Sequence, residues 1–347
     1  MKNNLFLHLI FSSLLWSCSM DNIDLSKNNK ITTSQISDLS VHDIYRTRGL
    51  VKFGNTLITI SPTNNYNAIS VDIQTTQKNR FFRRRFTGGN NMFQVMSLNS
   101  HDGQSVTALD FKGGRLIETA ITPTLSRVGS TPTETIISLP IGQQHLVAAK
   151  TTTFVIATGL YSAGRYLYYS LTDNSARYFL SYPDHSEYPE LQETTKAMLY
   201  ASNILRIRPD ASAFVCADMY SGIIDFCKIT SLGTIERTKM LRLHLPEADI
   251  TETPSTSVEY YRSNRFGFPD IAVSQHHVYA LYSGHTYRDM GNSALDGHTL
   301  LVYDWEGNLL KEYLLDTPLT NICYDSNEDA LYGITAEQGS LLIKINI

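Results

Sequence analysis

Beyond residue 45 the chain sets short runs of apolar, β-branched and aromatic residues between Gly, Asn, Asp and Ser turns, a pattern that predicts strands. One strand series recurs at 56–60, 106–110, 154–158, 214–218, 278–282 and 331–335. Anchored on Leu57, Val106, Phe154, Phe214, Val278 and Leu331, its spacings are 49, 48, 60, 64 and 53 residues. Each member is followed, after a loop, by a second strand, at 68–75, 115–121, 166–172, 223–230, 300–305 and 341–347. A period near fifty residues with three or four strands in each period is what a β-propeller produces. One small antiparallel sheet cannot bury both of its faces, whereas six sheets set radially bury each face against a neighbour. The pattern predicts an all-β fold, a six-bladed β-propeller in one domain over residues 36–347. The last strand runs to the C-terminus, so blade six lacks an outer strand. The segment around Ile36 to Tyr45 is expected to supply it, closing the ring by pairing the two chain ends and hiding an apolar edge. A β-sandwich followed by a second β domain is the rival arrangement; no Pro/Gly/Ser linker divides the chain to favour it.

Composition agrees with strands: 20 Tyr and 14 Phe accompany many Thr, Ile and Val. The one apolar run of a different kind lies at the start. Met1-Lys2-Asn3-Asn4 leads into Leu5–Trp16 and then Ser17-Cys18. A basic start, an apolar run and a small residue before a cut site describe a secretory signal. The run of about twelve residues is short of the roughly twenty that a membrane-spanning helix needs. Leu15, Ser17 and Cys18 make the segment look like a bacterial lipoprotein signal, although Trp16 is bulky there and His8 is a polar guest. The expected organisation is a signal peptide over residues 1–17, a lipidated Cys18 with a polar tether over 18–35, and then the propeller. The implied location is a Gram-negative cell envelope, with an outer-membrane lipoprotein first and plain secretion as the fallback.

The net charge is −4, and loss of Lys2 with the signal makes it −4 − 1 = −5. Such a chain lacks the concentrated basic face that nucleic acid requires. Its one basic run, Arg83-Arg84-Arg85, reads as an exposed edge strand. Beyond Cys18 three cysteines remain, Cys216, Cys227 and Cys323, too few for a disulfide framework. Cys216 and Cys227 would face each other across a hairpin turning at Ser221-Gly222, in a register that favours two packed thiols over a bridge. No Cys/His spacing resembles a zinc site, and no cofactor is expected.

The chain resembles the TolB-like six-bladed propeller lipoproteins of Bacteroidetes type over nearly its whole mature length. The carriers are Ser17-Cys18, then Lys196-Ala197-Met198-Leu199-Tyr200 leading into Ile207-Arg208-Pro209-Asp210 and Phe214-Val215-Cys216-Ala217. The stretch Leu301-Val302-Tyr303-Asp304-Trp305-Glu306-Gly307-Asn308-Leu309 matches a strand-turn-strand of such blades. The usual Pro-Asp-Gly turn is replaced here by Asp210-Ala211-Ser212. The resemblance implies a fold and an envelope location, and it brings no catalytic residues.

In a propeller, the loops at one end of the blades converge on the central channel, and function is carried there. Three such loops are long, 182–196, 249–270 and 283–299. They are rich in aromatic and charged residues. The candidate ligand-binding residues are Tyr182, His185 and Tyr188 from the first; Tyr260, Tyr261, Arg262 and Arg265 from the second; and His285, Tyr287 and Arg288 from the third. Tyr161, Arg165 and Tyr220 join them from shorter loops. Tyr and Arg offer flat contact area with a polar handle, suited to a glycan, a peptide or a partner protein. The competing reading gives these side chains structural work at the loop bases. No Gly-x-Ser-x-Gly elbow or phosphate-binding glycine loop is present. The expectation is therefore a lipid-anchored binding module without evident catalysis. The alternative is a metal-dependent hydrolase or lyase using His185, His285, His298, Asp184, Glu187, Asp289 and Asp296.

Overall fold

A computed structural model describes residues 29–38, 48–62, 66–75, 77–83, 86–87, 91–92, 95–101, 103–121, 133–231, 233–335 and 341–347. Cys18 and the signal segment lie outside the described residues. Among the described residues the strands form four separate four-stranded antiparallel sheets, one larger sheet and two two-stranded pairs. Blade one is Arg48–Phe53, Thr56–Ile60, Tyr66–Asp72 and Lys78–Arg83. Blade two is Val95–Asn99, Ser105–Asp110, Arg115–Ala120 and Glu134–Ser138. Blade three is His145–Lys150, Phe154–Gly159, Tyr166–Ser170 and Ala176–Phe179. Blade four is Asn203–Ile207, Ala213–Asp218, Ile223–Ile229 and Ile235–Arg242.

The larger sheet is blades five and six, joined by one strand, Leu309–Asp325. Its first part, 309–314, pairs with Gly297–Tyr303 as the outer strand of blade five. Its last part, 319–325, pairs with Ala330–Thr335 as the inner strand of blade six. Leu341–Ile345 then pairs with Thr33–Asp38, the N-terminal strand, which completes blade six. The ring is thus closed by the two chain ends. The pairing strand begins a little earlier than the Ile36–Tyr45 expectation, and residues 39–47 lie outside the described residues. Thr33 is fixed further by Asp316, whose carboxylate accepts from its amide (3.2 Å) and its hydroxyl (2.9 Å). A short strand ahead of it, Asn29–Ile31, runs parallel to Tyr313–Leu315 and buries Ile31.

Each blade-to-blade junction has its own apolar core, and the six junctions account for six clusters. The junction of blades six and one, across the closure, is Ile334, Tyr332 and Leu342 against Leu57, Ile69 and Val71. Across it Lys52, buried, donates to Asp325 (2.8 Å) and Glu328 (2.6 Å), a charged clasp beside the apolar one. The recurring series read from the sequence supplies the second strand of every blade. That strand is covered on both faces, which is why it is apolar at nearly every position.

One local expectation changes, the register of a hairpin. In the hairpin of blade four Cys216 pairs with Asp225 and Cys227 with Phe214, a register two residues away from the expected facing pair. Cys216, Cys227 and Cys323 are buried free thiols. The turn that departs from Pro-Asp-Gly holds Ala211 at a φ of 63°, a left-handed conformation in which a Cβ is strained. Asp210 compensates by accepting from the Ser212 amide (3.0 Å) and hydroxyl (2.6 Å).

Candidate functional site

The inner strands surround a central channel whose cap-side end opens into a funnel of about 570 Å³. All six blades contribute walls, among them Gly49, Leu98, Val147, Ile204, Asp270 and Asn321. Tyr220, Asn292, Leu295 and Asp296 stand at the mouth. The volume is within the range of small-molecule sites.

A polar belt crosses the channel. From blade four, Arg206 donates through Nη1 to Asn99 Oδ1 of blade two (2.8 Å) and through Nη2 to Asp270 Oδ1 of blade five (3.0 Å). Asn99 Nδ2 donates in turn to the Ala148 carbonyl of blade three (2.8 Å). Asp270 also accepts from its neighbour's amide, Ile271 N (2.8 Å), from Asn321 Nδ2 (3.2 Å) and from Ile322 N (3.1 Å) of blade six. Blades two to six are tied through one guanidinium and one carboxylate. Burial pushes the Asp270 carboxyl above the ordinary carboxylate range, and Arg206 with the three N–H donors opposes that rise. Sequence reasoning missed this belt. Arg206 does leave a trace, as the one charged residue in Asn203-Ile204-Leu205-Arg206-Ile207, but its partners are 64 and 107 residues away.

Over the channel, on the side of blades three to five, the three long loops form a cap with a core of its own: Tyr182, Ala197, Leu199, Tyr200, Ile223 and Ala248. Helix α1 (Glu193–Leu199) comes from the first loop, the hairpin Ala248–Thr251 with Ser257–Tyr260 from the second, and helix α2 (Tyr287–Met290) with the 3-10 turn Gly291–Leu295 from the third. α2 starts at Thr286, whose hydroxyl accepts from the Asp289 amide (3.2 Å).

The cap separates the candidate residues into two groups. Tyr161, Arg165, Tyr182 and His185 are buried and carry structure, which corrects their assignment as ligand-facing. Tyr182 donates to the Tyr161 carbonyl (3.0 Å), and the Tyr161 hydroxyl meets His145 Nδ1 (2.5 Å). His185 has its Nε2 on the Pro246 carbonyl (2.8 Å), while its Nδ1 accepts from the Glu187 amide (3.3 Å), so both ring nitrogens are engaged by backbone. Arg165 donates to Asp218 (2.7 Å) and lies 3.8 Å from Asp225, which Tyr166 and Arg237 also bind. Burial raises the Asp218 carboxyl to about 7 against the pull of Arg165, and it raises the neighbouring Cys216 thiol to about 12. A thiol held that high is inert packing.

Tyr188 and Tyr260 are half-buried and brace the cap, donating to the Ala248 carbonyl (3.1 Å) and the Leu199 carbonyl (2.6 Å). Tyr220 stacks on Tyr260 at 4.2 Å and 11° and lines the funnel. Tyr261, Arg262, Arg265, Tyr287 and Arg288 are exposed on one ridge, where the Arg288 amide bonds the Arg262 carbonyl (2.9 Å) and Arg265 bridges to Thr286. Arg262 lies over the Tyr287 ring at 5.0 Å. His285, half-buried, packs edge-on against His298 at 4.6 Å. The carboxylates of the catalytic alternative do not converge. Asp289 accepts from the Thr286 hydroxyl (2.6 Å), and Asp184 lies beside Lys196 (3.8 Å). Among the described residues no three His, Cys, Asp or Glu side chains are grouped to hold a metal.

No functionally curated protein matches the chain. Among solved structures it is similar to a member of the DUF4221 family from Bacteroides vulgatus, at a TM-score of 0.51 and 11% identity, covering 92% of this chain and 97% of that one. It is also similar to virginiamycin B lyase from Staphylococcus aureus, at a TM-score of 0.47 and 11% identity, covering 92% and 99%. The first likeness shows the propeller fold, and the second carries no more than resemblance. The family model described as TolB-like 6-blade propeller-like matches residues 128–327, from the outer strand of blade two to the inner strand of blade six. With more than half of its length matched, and with six blades closed by its own N-terminal strand, the chain belongs to the TolB-like six-bladed propeller family.

Proposed function

We propose that this propeller is a non-catalytic binding module, anchored to the Gram-negative envelope through a lipid on Cys18, that takes its ligand at the cap-side funnel. The observation that carries this reading is the funnel itself: a cavity of about 570 Å³ built by all six blades, in which the Asp270 carboxylate is fully occupied. A general base needs a free lone pair directed at substrate. Asp270 accepts from Arg206, Ile271, Asn321 and Ile322, which uses its capacity. The rigid cap supports the same reading, since loops held by a packed core present a preformed surface. The ridge of Tyr261, Arg262, Arg265, Tyr287 and Arg288 gives that ligand or its carrier a second contact.

The test is a ligand screen by thermal shift on the mature chain, repeated on Leu295→Trp and on Tyr261→Ala with Arg265→Ala. Leu295 is exposed at the mouth, so a larger ring there narrows the funnel without touching the core. Ligands that stabilise the parent chain should lose their effect in Leu295→Trp and weaken in the ridge variant. Undiminished stabilisation in both would place the site elsewhere. The anchor is tested separately: Cys18→Ser should move the protein from the membrane fraction to the soluble one.

A further inference from the structure

We infer that the funnel recognises a neutral carbohydrate, an uncharged chain of hydroxyl-bearing rings. This rests on the funnel being the binding site. The charged groups in its walls are spoken for. Arg206 and Asp270 neutralise each other at 3.0 Å, and the Asp270 oxygens have four donors. An anionic ligand finds no uncompensated cation among the described lining residues. A cationic ligand would have to compete for Asp270 with a guanidinium and three fixed N–H groups.

The polar atoms still available are neutral. Ser97 Oγ is buried in the wall with no hydrogen-bond partner among the described residues. Ser202, Tyr220 and Asn292 also line the funnel, and their side chains make no hydrogen bond to another described residue. Hydroxyls and an amide offer donors and acceptors together, which suits a sugar hydroxyl that needs both. Between them the wall is apolar, with Ile60, Leu98, Val147, Ile204 and Pro269. Tyr220 is the aromatic member of the lining, its ring held at 4.2 Å by Tyr260 and at 5.2 Å by Phe266. A clamped ring with a free hydroxyl beside apolar wall is the surface on which the C–H face of a sugar ring rests while its rim is hydrogen-bonded.

The experiment is calorimetric titration of the mature chain with linear tetrasaccharides of glucose, mannose, xylose and N-acetylglucosamine, beside tetragalacturonate, a glucosamine tetramer and an uncharged tetrapeptide. At least one neutral tetrasaccharide should bind while both charged sugars fail. Tyr220→Ala should weaken that binding about tenfold, the loss of one ring contact. Leu295→Trp should abolish it without lowering the unfolding temperature. Binding of the charged sugars or the peptide in preference, still blocked by Leu295→Trp, would overturn the neutral-carbohydrate assignment and leave the funnel as the site. Neutral-sugar binding indifferent to Leu295→Trp and Tyr220→Ala would overturn the funnel itself. Silence from every neutral sugar at millimolar concentration would overturn the carbohydrate class.

Discussion

Asp270 is the residue whose removal should be felt most widely. Its four partners are all donors: Arg206 Nη2, Asn321 Nδ2 and the backbone amides of Ile271 and Ile322. Ile271 and Ile322 are buried, so their amides cannot turn to bulk water when the acceptor goes. Each orphaned buried N–H costs about 1–3 kcal/mol, so the two amides alone account for roughly 2–6 kcal/mol. Breaking a buried ion pair from one side costs about 3–5 kcal/mol, which falls within that range. Asp270→Ala should therefore lose about 4 kcal/mol in urea unfolding followed by tyrosine and tryptophan fluorescence. Asp270→Asn sharpens the test. The amide is close in shape but has one acceptor oxygen, and its NH2 would point at two donors in either orientation. Asp270→Asn should fall within about 1 kcal/mol of Asp270→Ala rather than near the parent. Arg206→Met should couple to it in a double-mutant cycle, since the two share a hydrogen bond. If Asp270→Asn unfolds at the parent's urea midpoint, the carboxylate is not the keystone of the belt.

His244 lies beneath the cap, and burial, with the charge of Arg265 adding to it, lowers its imidazole from 6.5 to about 4. The unfolded chain therefore binds the extra proton between pH 6.5 and 4 while the folded chain does not, so stability is lost as pH falls through that window, by about 3 kcal/mol; a His244→Gln variant should show a flatter pH profile in urea melts. Lys52→Met should cost about 3 kcal/mol by leaving the buried Asp325 without its cation, and amide exchange should speed up first in Ala330–Thr335. Ala211→Gly should stabilise by about 0.5–1 kcal/mol by relieving a Cβ in the left-handed region, read as a raised unfolding temperature. A chain begun after Asp38 should expose the edge of Leu341–Ile345 and self-associate in size-exclusion chromatography.

The blades were legible in the sequence because each second strand is covered on both faces and so carries an unbroken apolar signature, as in Phe214-Val215-Cys216-Ala217. The closure was legible for a related reason: the apolar strand Leu341–Ile345 presents a sheet edge that needs a partner, and Thr33–Asp38 supplies it. The hairpin register at Cys216 and Cys227 was not legible, because it depends on where the turn starts, and Met219, Tyr220, Ser221 and Gly222 allow more than one start. The site was half legible. Long loops rich in Tyr and Arg did mark the cap, but those residue types serve burial as readily as contact. Tyr182 and Arg165 turned inward to satisfy carbonyls and carboxylates that the cap would otherwise strand. The belt was not legible, because Asn99, Arg206, Asp270 and Asn321 meet only when five blades are placed around one axis.

The belt also bears on why the cap needs a core of its own. A channel through six radially packed sheets is open at both ends unless side chains cross it. Arg206, reaching from blade four to blade two, is such a crossing. Ligand entering from the cap side meets a floor that is rigid, charge-neutral and already bonded, so its recognition must come from the walls and the mouth. The mouth is built by the insertions, and two of its residues, Asn292 and Leu295, belong to a short turn with only Ala294 buried. Such a turn would sample many positions if it stood alone. It is held because Ser283 donates to the Ala294 carbonyl (2.6 Å) and because the Arg288 amide reaches the Arg262 carbonyl (2.9 Å). Ser283→Ala should therefore loosen the mouth and weaken ligand capture while leaving global stability within about 1 kcal/mol of the parent. A loss of affinity matched by an equal loss of fold stability would mean that the mouth is not an independent element, and that the cap and the blades act as one cooperative unit.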